Sequence, residues 1–165
     1  MSAAPPPSYL EKIVSWEELS RRLGILRREG MKVVFTNGCF DLLHPGHTAY
    51  LAQARSRGDI LVVGLNSDES VRRQNKGPGR PVQTQEARAQ VLAALESVGL
   101  VVVFDQETPY ELIKIVRPQV LVKGGDWTVE KIVGADLVVE EGGKVLSLPY
   151  LEGESTTDII ERVRG

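Results

Sequence analysis

The stretch KVVFTNGCFDLLHPGHTAYLAQARSRGDILVVGLN, residues 32–66, decides the fold class of this 165-residue chain. KVVFT (32–36) is a short apolar run rich in β-branched residues, as a buried strand requires. Helical spacing starts after Pro45 and runs to Gly58, and DILVVGLN (59–66) is a second strand of the same kind. The strand runs are continuous rather than alternating, so both faces of each strand are expected to be buried. Strand, helix and strand in that order predict a parallel sheet covered by helices.

The alternation continues outward on both sides. Ser15-Trp16-Glu17-Glu18 fits a capping box ahead of a helix that reaches about Gly30. SDESVRR reads as a helical turn, and QNKGPGRPV (74–82) as a polar loop punctuated by glycine and proline. Residues 84–97 predict a helix, 100–104 a strand, 108–117 a helix with Pro109 near its first position, and 119–125 a strand. DLVVE (136–140) and KVLSLP (144–149) predict short strands around Glu141-Gly142-Gly143, and STTDIIERVRG (155–165) a capped amphipathic helix. The expected fold is α/β, a Rossmann-like parallel sheet with helices on both faces. A single domain over 15–165 would follow a flexible, proline-bearing tail at 1–14.

Composition excludes several classes of function. A domain of this length buries roughly 70% of the surface its unfolded chain exposes. The formal net charge is −2 with both signs interspersed, which disfavours general nucleic-acid or membrane-surface binding but allows a local basic pocket. One cysteine, Cys39, cannot form an internal disulfide, so a reducing, cytoplasmic setting is expected. No apolar run has the ~18 residues of a membrane span.

In open parallel sheets ligands bind beyond the carboxyl ends of the strands. That rule places TNGCFD, LNSDES, VKGGDW and GESTT around one crevice, and these are also the polar, glycine-rich stretches. The chain's two histidines, His44 and His47, both fall there. With Pro45 at the first helical position, His44 is the cap residue, and Gly46 leaves room for a ligand against the first turn. The free amides and positive dipole end favour an anion and disfavour imidazolium. Two neutral rings, each donating one hydrogen bond, suit a phosphate. A metal pair is disfavoured, because only Asp41 among acidic or thiol partners lies at ligand spacing. Cys39 reads as a small buried apolar side chain rather than a nucleophile.

TNGCFDLLHPGH resembles the HxGH signature of the nucleotidylyltransferase superfamily. GLNSDESV, RPVQTQEARAQVLAALESV, LVKGGDW and ESTTDIIERV extend the resemblance, in order and from about Trp16 to the C terminus, to that superfamily's ADP-heptose-forming adenylyltransferases. One departure is Gly99, where relatives often carry an acidic residue. The resemblance implies transfer of AMP from ATP, partnered by Mg2+, to D-glycero-D-manno-heptose 1-phosphate, with in-line attack, no covalent intermediate, and pyrophosphate leaving. His44, His47 and Lys76 would be catalytic. Thr36, Asn37, Gly38, Cys39, Phe40, Gly46, Lys123, Gly124, Ser155, Thr156 and Thr157 would bind the nucleotide. Asp41, Asn66, Arg80, Asp126 and Trp127 would bind the sugar phosphate. Lys76 and Arg80 resemble an arm that closes over anionic substrate. Arg88 reads equally as a structural salt-bridge partner or a substrate contact, and Arg72 and Arg73 equally as surface or site residues. A homodimer is expected, as is a separate upstream heptose kinase, since 165 residues leave no room for one. The rivals are a cytidylyltransferase acting on glycerol 3-phosphate or a similar alcohol phosphate, and a nucleotide-binding module without catalysis.

Overall fold

Successive residues of a strand face opposite sides of its sheet. In the computed structural model, which describes residues 7–165, both sides are covered. The strands are β1 (Val33–Gly38), β2 (Ile60–Asn66), β3 (Leu100–Phe104), β4 (Val120–Gly124) and β5 (Lys144–Leu148). All pair in parallel, in the order β3-β2-β1-β4-β5. The helices are α1 (Trp16–Arg28), α2 (Pro45–Arg55), α3 (Asp68–Arg73), α4 (Gln85–Ala93), α5 (Tyr110–Val116), α6 (Ala135–Glu140) and α7 (Thr156–Arg164). Val33, Phe35, Val62 and Leu121 pack with α1, α5 and α6 on one face. Val34, Leu61, Val63 and Val120 pack with α2 and α4 on the other. Strand order reverses between β1 and β4, which puts the ligand crevice at their carboxyl ends.

Two expectations need correction. DLVVE is not a strand but lies within α6. Gly134 enters it with φ 84°, and Ala135 and Val138, three residues apart, bury one helical stripe against the sheet. Packing on the connection between two parallel strands overrides the β preference of its valines. The expected flexible tail at 1–14 is not what residues 8–14 form, and residues 1–6 lie outside the described residues. Ser8–Lys12 form a 3-10 turn, Ile13 bridges Val101, and the Val14 amide donates to the Val101 carbonyl at 2.9 Å. β3 is an edge strand with unpaired backbone groups, and this segment covers part of that edge. Trp16 joins it, its indole N–H reaching the Val103 carbonyl at 2.9 Å.

The start of α1 forms half of the expected capping box. Ser15 Oγ accepts from the Glu18 amide at 3.1 Å, while the Glu18 carboxylate turns to Arg21 and Arg22. Gly99 has a packing reason: a Cβ there would fall 2.4 Å from Ile60 Cγ1 and 3.1 Å from the Leu61 carbonyl oxygen. An acidic side chain does not fit this chain at that position.

Candidate active site

Pro45 opens α2 as the sequence suggests, because its missing amide would be unbonded there anyway. His44 precedes it in extended conformation, and its carbonyl accepts from the His47 and Thr48 amides. Its ring makes no capping bond. Instead the two imidazoles stack, with centroids 3.8 Å apart and planes 28° from parallel. The Phe40 ring meets His47 edge-on at 5.4 Å, from a backbone with φ 45°. Gly46 is required for this packing, since a Cβ would lie 2.9 Å from His44 Nδ1 and 3.2 Å from Glu154 Cβ. Nδ1 of each histidine is buried without a hydrogen-bond partner.

Burial, and next the His44 ring beside it, push the His47 pKa from 6.5 down to about 4. His47 is therefore neutral at physiological pH and can donate one N–H without carrying charge. The unfolded chain takes up a proton at His47 below about pH 6.5, whereas the folded chain does so only near pH 4. Stability from this site is thus complete above about 6.5 and is lost as pH falls towards 4. Melting temperatures measured across that window should fall more steeply for the native chain than for His47→Gln. Parallel curves would show that His47 titrates normally.

The crevice is a cavity of about 490 Å³. Asn37, Gly38, Cys39, Phe40 and Asp41 line it from the end of β1, and His47 from α2. Asn66, Lys76, Arg80, Lys123, Gly124, Thr156 and Thr157 complete the set that the sequence had placed there. Its cations are Lys76, Arg80 and Lys123, and Asp41 is its carboxylate. Asp41 is 2% exposed and accepts from Arg80 Nε at 2.7 Å and from the Val82 and Gln83 amides at 2.9 and 3.0 Å. Its charge is thereby matched, and it tethers the polar loop to β1. Lys76 Nζ lies 3.3 Å from Cys39 Sγ, while burial holds the Lys123 pKa below its usual range. The net effect is a cation-rich pocket in a chain of net charge −2.

Other candidates lie elsewhere. Thr36 is fully buried, its hydroxyl 2.6 Å from that of Tyr50, and it does not line the cavity. Asp126 and Trp127 also lie off the lining. Gly125, at φ 105°, turns the chain, and the Trp127 indole N–H folds back on the Gly124 carbonyl at 3.0 Å. His44 and Gly46 are off the lining, His44 stacking on His47 and Gly46 lying against His44, and Ser155 caps α7 through the Asp158 amide. Arg72 and Arg73 pair with Glu69 and Asp105 at the surface.

Arg88 is structural. At 1% exposure it donates to the Cys39, Asn66 and Gln83 carbonyls and to the Asp68 carboxylate. Three lining residues were not foreseen: Tyr50, Gln74 and Tyr150. Tyr50 lies three residues after His47, and Tyr150 lies two residues past the end of β5, so helical spacing and the strand-end rule point to them. Among the described residues, no group of three His, Cys, Asp or Glu side chains could hold a metal ion, and no helix is long and apolar enough to cross a membrane.

The cytidylyltransferase-like family model matches residues 35–162. The bifunctional protein HldE of Nitrobacter hamburgensis is 52% identical over 164 residues, covering 97% of this chain and 33% of that protein. HldE of Rhodopseudomonas palustris strain BisB5 is 57% identical over 155 residues, covering 93% and 31%. The chain thus spans about a third of the length of the curated relatives it matches. Among solved structures, a lipopolysaccharide core biosynthesis protein from Thermoplasma volcanium is similar at TM-score 0.61 and 26% identity, over 76% of this chain and all of that one. A pantoate-beta-alanine ligase from Francisella tularensis, at TM-score 0.56 and 15% identity over 92% of this chain and 76% of that one, shares the fold.

Proposed function

Because the chain belongs to the cytidylyltransferase-like family, we propose that its crevice transfers AMP from ATP to D-glycero-D-manno-heptose 1-phosphate. The observation that carries this is the stacked, half-buried histidine pair, whose His47 lines a cavity with more cations than carboxylates. An oxygen of the acceptor phosphate attacks the α-phosphorus, forming the new P–O bond. The bond to the bridging oxygen breaks, and pyrophosphate departs with that electron pair. His44 and His47 donate hydrogen bonds to oxygens that gain charge in this step, and the lysines offset the charge of two anionic reactants. The sugar-phosphate assignment is supported by the motif resemblance and by the lipopolysaccharide core biosynthesis protein of the same fold.

Bound with the nucleotide, Mg2+ would offset the charge of its phosphates. The carboxylate on the lining is already matched by Arg80 and two amides, so these residues do not fit a metal held by the protein itself. Supply of the acceptor requires an upstream sugar kinase in the same cytoplasm, and we take the enzyme to act as a homodimer.

The test is pyrophosphate release measured with ATP and CTP against heptose 1-phosphate and glycerol 3-phosphate. ATP with heptose 1-phosphate should be the productive pair. CTP working tenfold better, with glycerol 3-phosphate as acceptor, would establish the cytidylyltransferase rival. Nucleotide binding without turnover on any pair would leave only a binding module.

Lys123 offers a separate check. Burial disfavours its charged form, so the ammonium is held there against the preference of the fold. Lys123→Met should weaken ATP binding about tenfold, equivalent to ~1.4 kcal/mol, while leaving the melting temperature unchanged or raised. Unchanged affinity by calorimetry would remove Lys123 from the site.

A further inference from the structure

β1 and β4 are neighbours, yet they pair only at Val34–Val120 and Phe35–Leu121. Past that point β1 continues to Gly38 alongside β2, and β4 continues to Gly124 alongside β5. The two central strands therefore part, and the crevice opens where they do. Thr36 and Val122 are the first residues beyond the fork. Between them stands the hydroxyl of Tyr50, from α2, 2.6 Å from Thr36 Oγ1 and 3.4 Å from the Val122 carbonyl oxygen. Thr36 donating to Tyr50, and Tyr50 to Val122, gives both hydroxyls a partner in a place where Thr36 is fully buried and Tyr50 is 5% exposed.

These contacts join the elements that carry the chemistry. Tyr50 lies one helical turn beyond His47 on α2, and Val122 immediately precedes Lys123 on β4. Resting on adenylyl transfer as the activity, we propose that Thr36 and Tyr50 are a positioning pair that sets the spacing between the histidines and Lys123 across the fork. An imidazole on a helix and an ammonium on a strand must meet the same triphosphate, and an error of ~1 Å in such placement can cost about a hundredfold in rate. Burial raises the Tyr50 pKa well above its usual value, so the phenol keeps the proton that the link requires. The strands themselves cannot hold this spacing, because their own ladder has ended at Phe35 and Leu121.

Tyr50 also lines the cavity, so direct contact with substrate is the competing role. Thr36 separates the two, since it has no exposed surface with which to touch a ligand. The experiment compares Tyr50→Phe, Thr36→Val, their double and Thr36→Ser by imidazole NMR at neutral pH, ATP affinity and kcat. The chain has two histidines, so two sets of imidazole resonances report the geometry without any substrate.

Tyr50→Phe and Thr36→Val should both shift the His47 resonances and lower kcat about tenfold, with ATP affinity within about twofold. The double should be little worse than either single, and Thr36→Ser should resemble the native chain. Unshifted resonances, or kcat lost in Tyr50→Phe alone, would overturn the pair. So would native kcat in both variants, or failure of both to fold, which would make the link one of stability only. If the native chain transfers no adenylyl group while the resonances shift as expected, the positioning geometry stands and the assigned activity falls.

Discussion

Replacing His44 or His47 by alanine should lower the turnover rate by about 10²–10³, or roughly 3–4 kcal/mol of barrier, while nucleotide binding weakens far less. The asymmetry follows from when the charge appears. A neutral imidazole makes a modest hydrogen bond to bound triphosphate and a stronger one to the oxygens that gain charge as pyrophosphate leaves. His47 is held neutral by burial, so its contribution lies in that difference rather than in attraction to the ground state. Since the rings stack at 3.8 Å and serve one event, the double variant should fall short of the product of the two single losses. Folding should survive, because neither ring caps α2 and the turn rests on Pro45 and the His44 carbonyl. Single-turnover kinetics on variants checked by circular dichroism would decide it. Near-native turnover in either folded single variant would make that ring a packing element.

Arg88→Met should produce the largest loss of stability, about 3–5 kcal/mol, or roughly 10 °C in melting temperature for a chain of this size. The methylenes can be replaced, but the guanidinium cannot. It donates to the carbonyls of Cys39, Asn66 and Gln83 at the mouth of the sheet, and it pairs with Asp68. Removing it leaves buried acceptors unpaired where β1, β2 and the polar loop converge. Arg88→Lys should recover only part of the loss, since one ammonium cannot reproduce a planar fork of donors. A change below ~1 kcal/mol in chemical denaturation would mean that water replaces the guanidinium.

The sheet and the crevice were legible because both follow from local patterns. Continuous β-branched runs alternating with helical spacing specify parallel strands, and polar strand ends mark where ligands bind. HPGH was legible for a further reason, since proline, glycine and two histidines at one helix start have a mechanism in common. Thr36 was misplaced because a hydroxyl at a strand end reads as a ligand contact. Which face it takes depends on the fork between β1 and β4, a matter of register that sequence spacing does not show. Tyr50 was overlooked for the converse reason, as an aromatic on an apolar helix face reads as core. The docked segment at Ile13 and Val14 depends on the exposed edge of β3, which exists only once the strand order is known. Likewise α6 takes its form from the layer it fills rather than from its valines.

On the proposed activity, the crevice joins two bound reactants directly, without passing the adenylyl group through the protein. ATP made chiral at the α-phosphorus with sulfur, given to the enzyme with heptose 1-phosphate, tests it by the configuration of the sugar nucleotide formed. One in-line displacement over the histidine pair predicts complete inversion at phosphorus. Retention would require two displacements and a covalent adenylyl-enzyme, and would contradict the account.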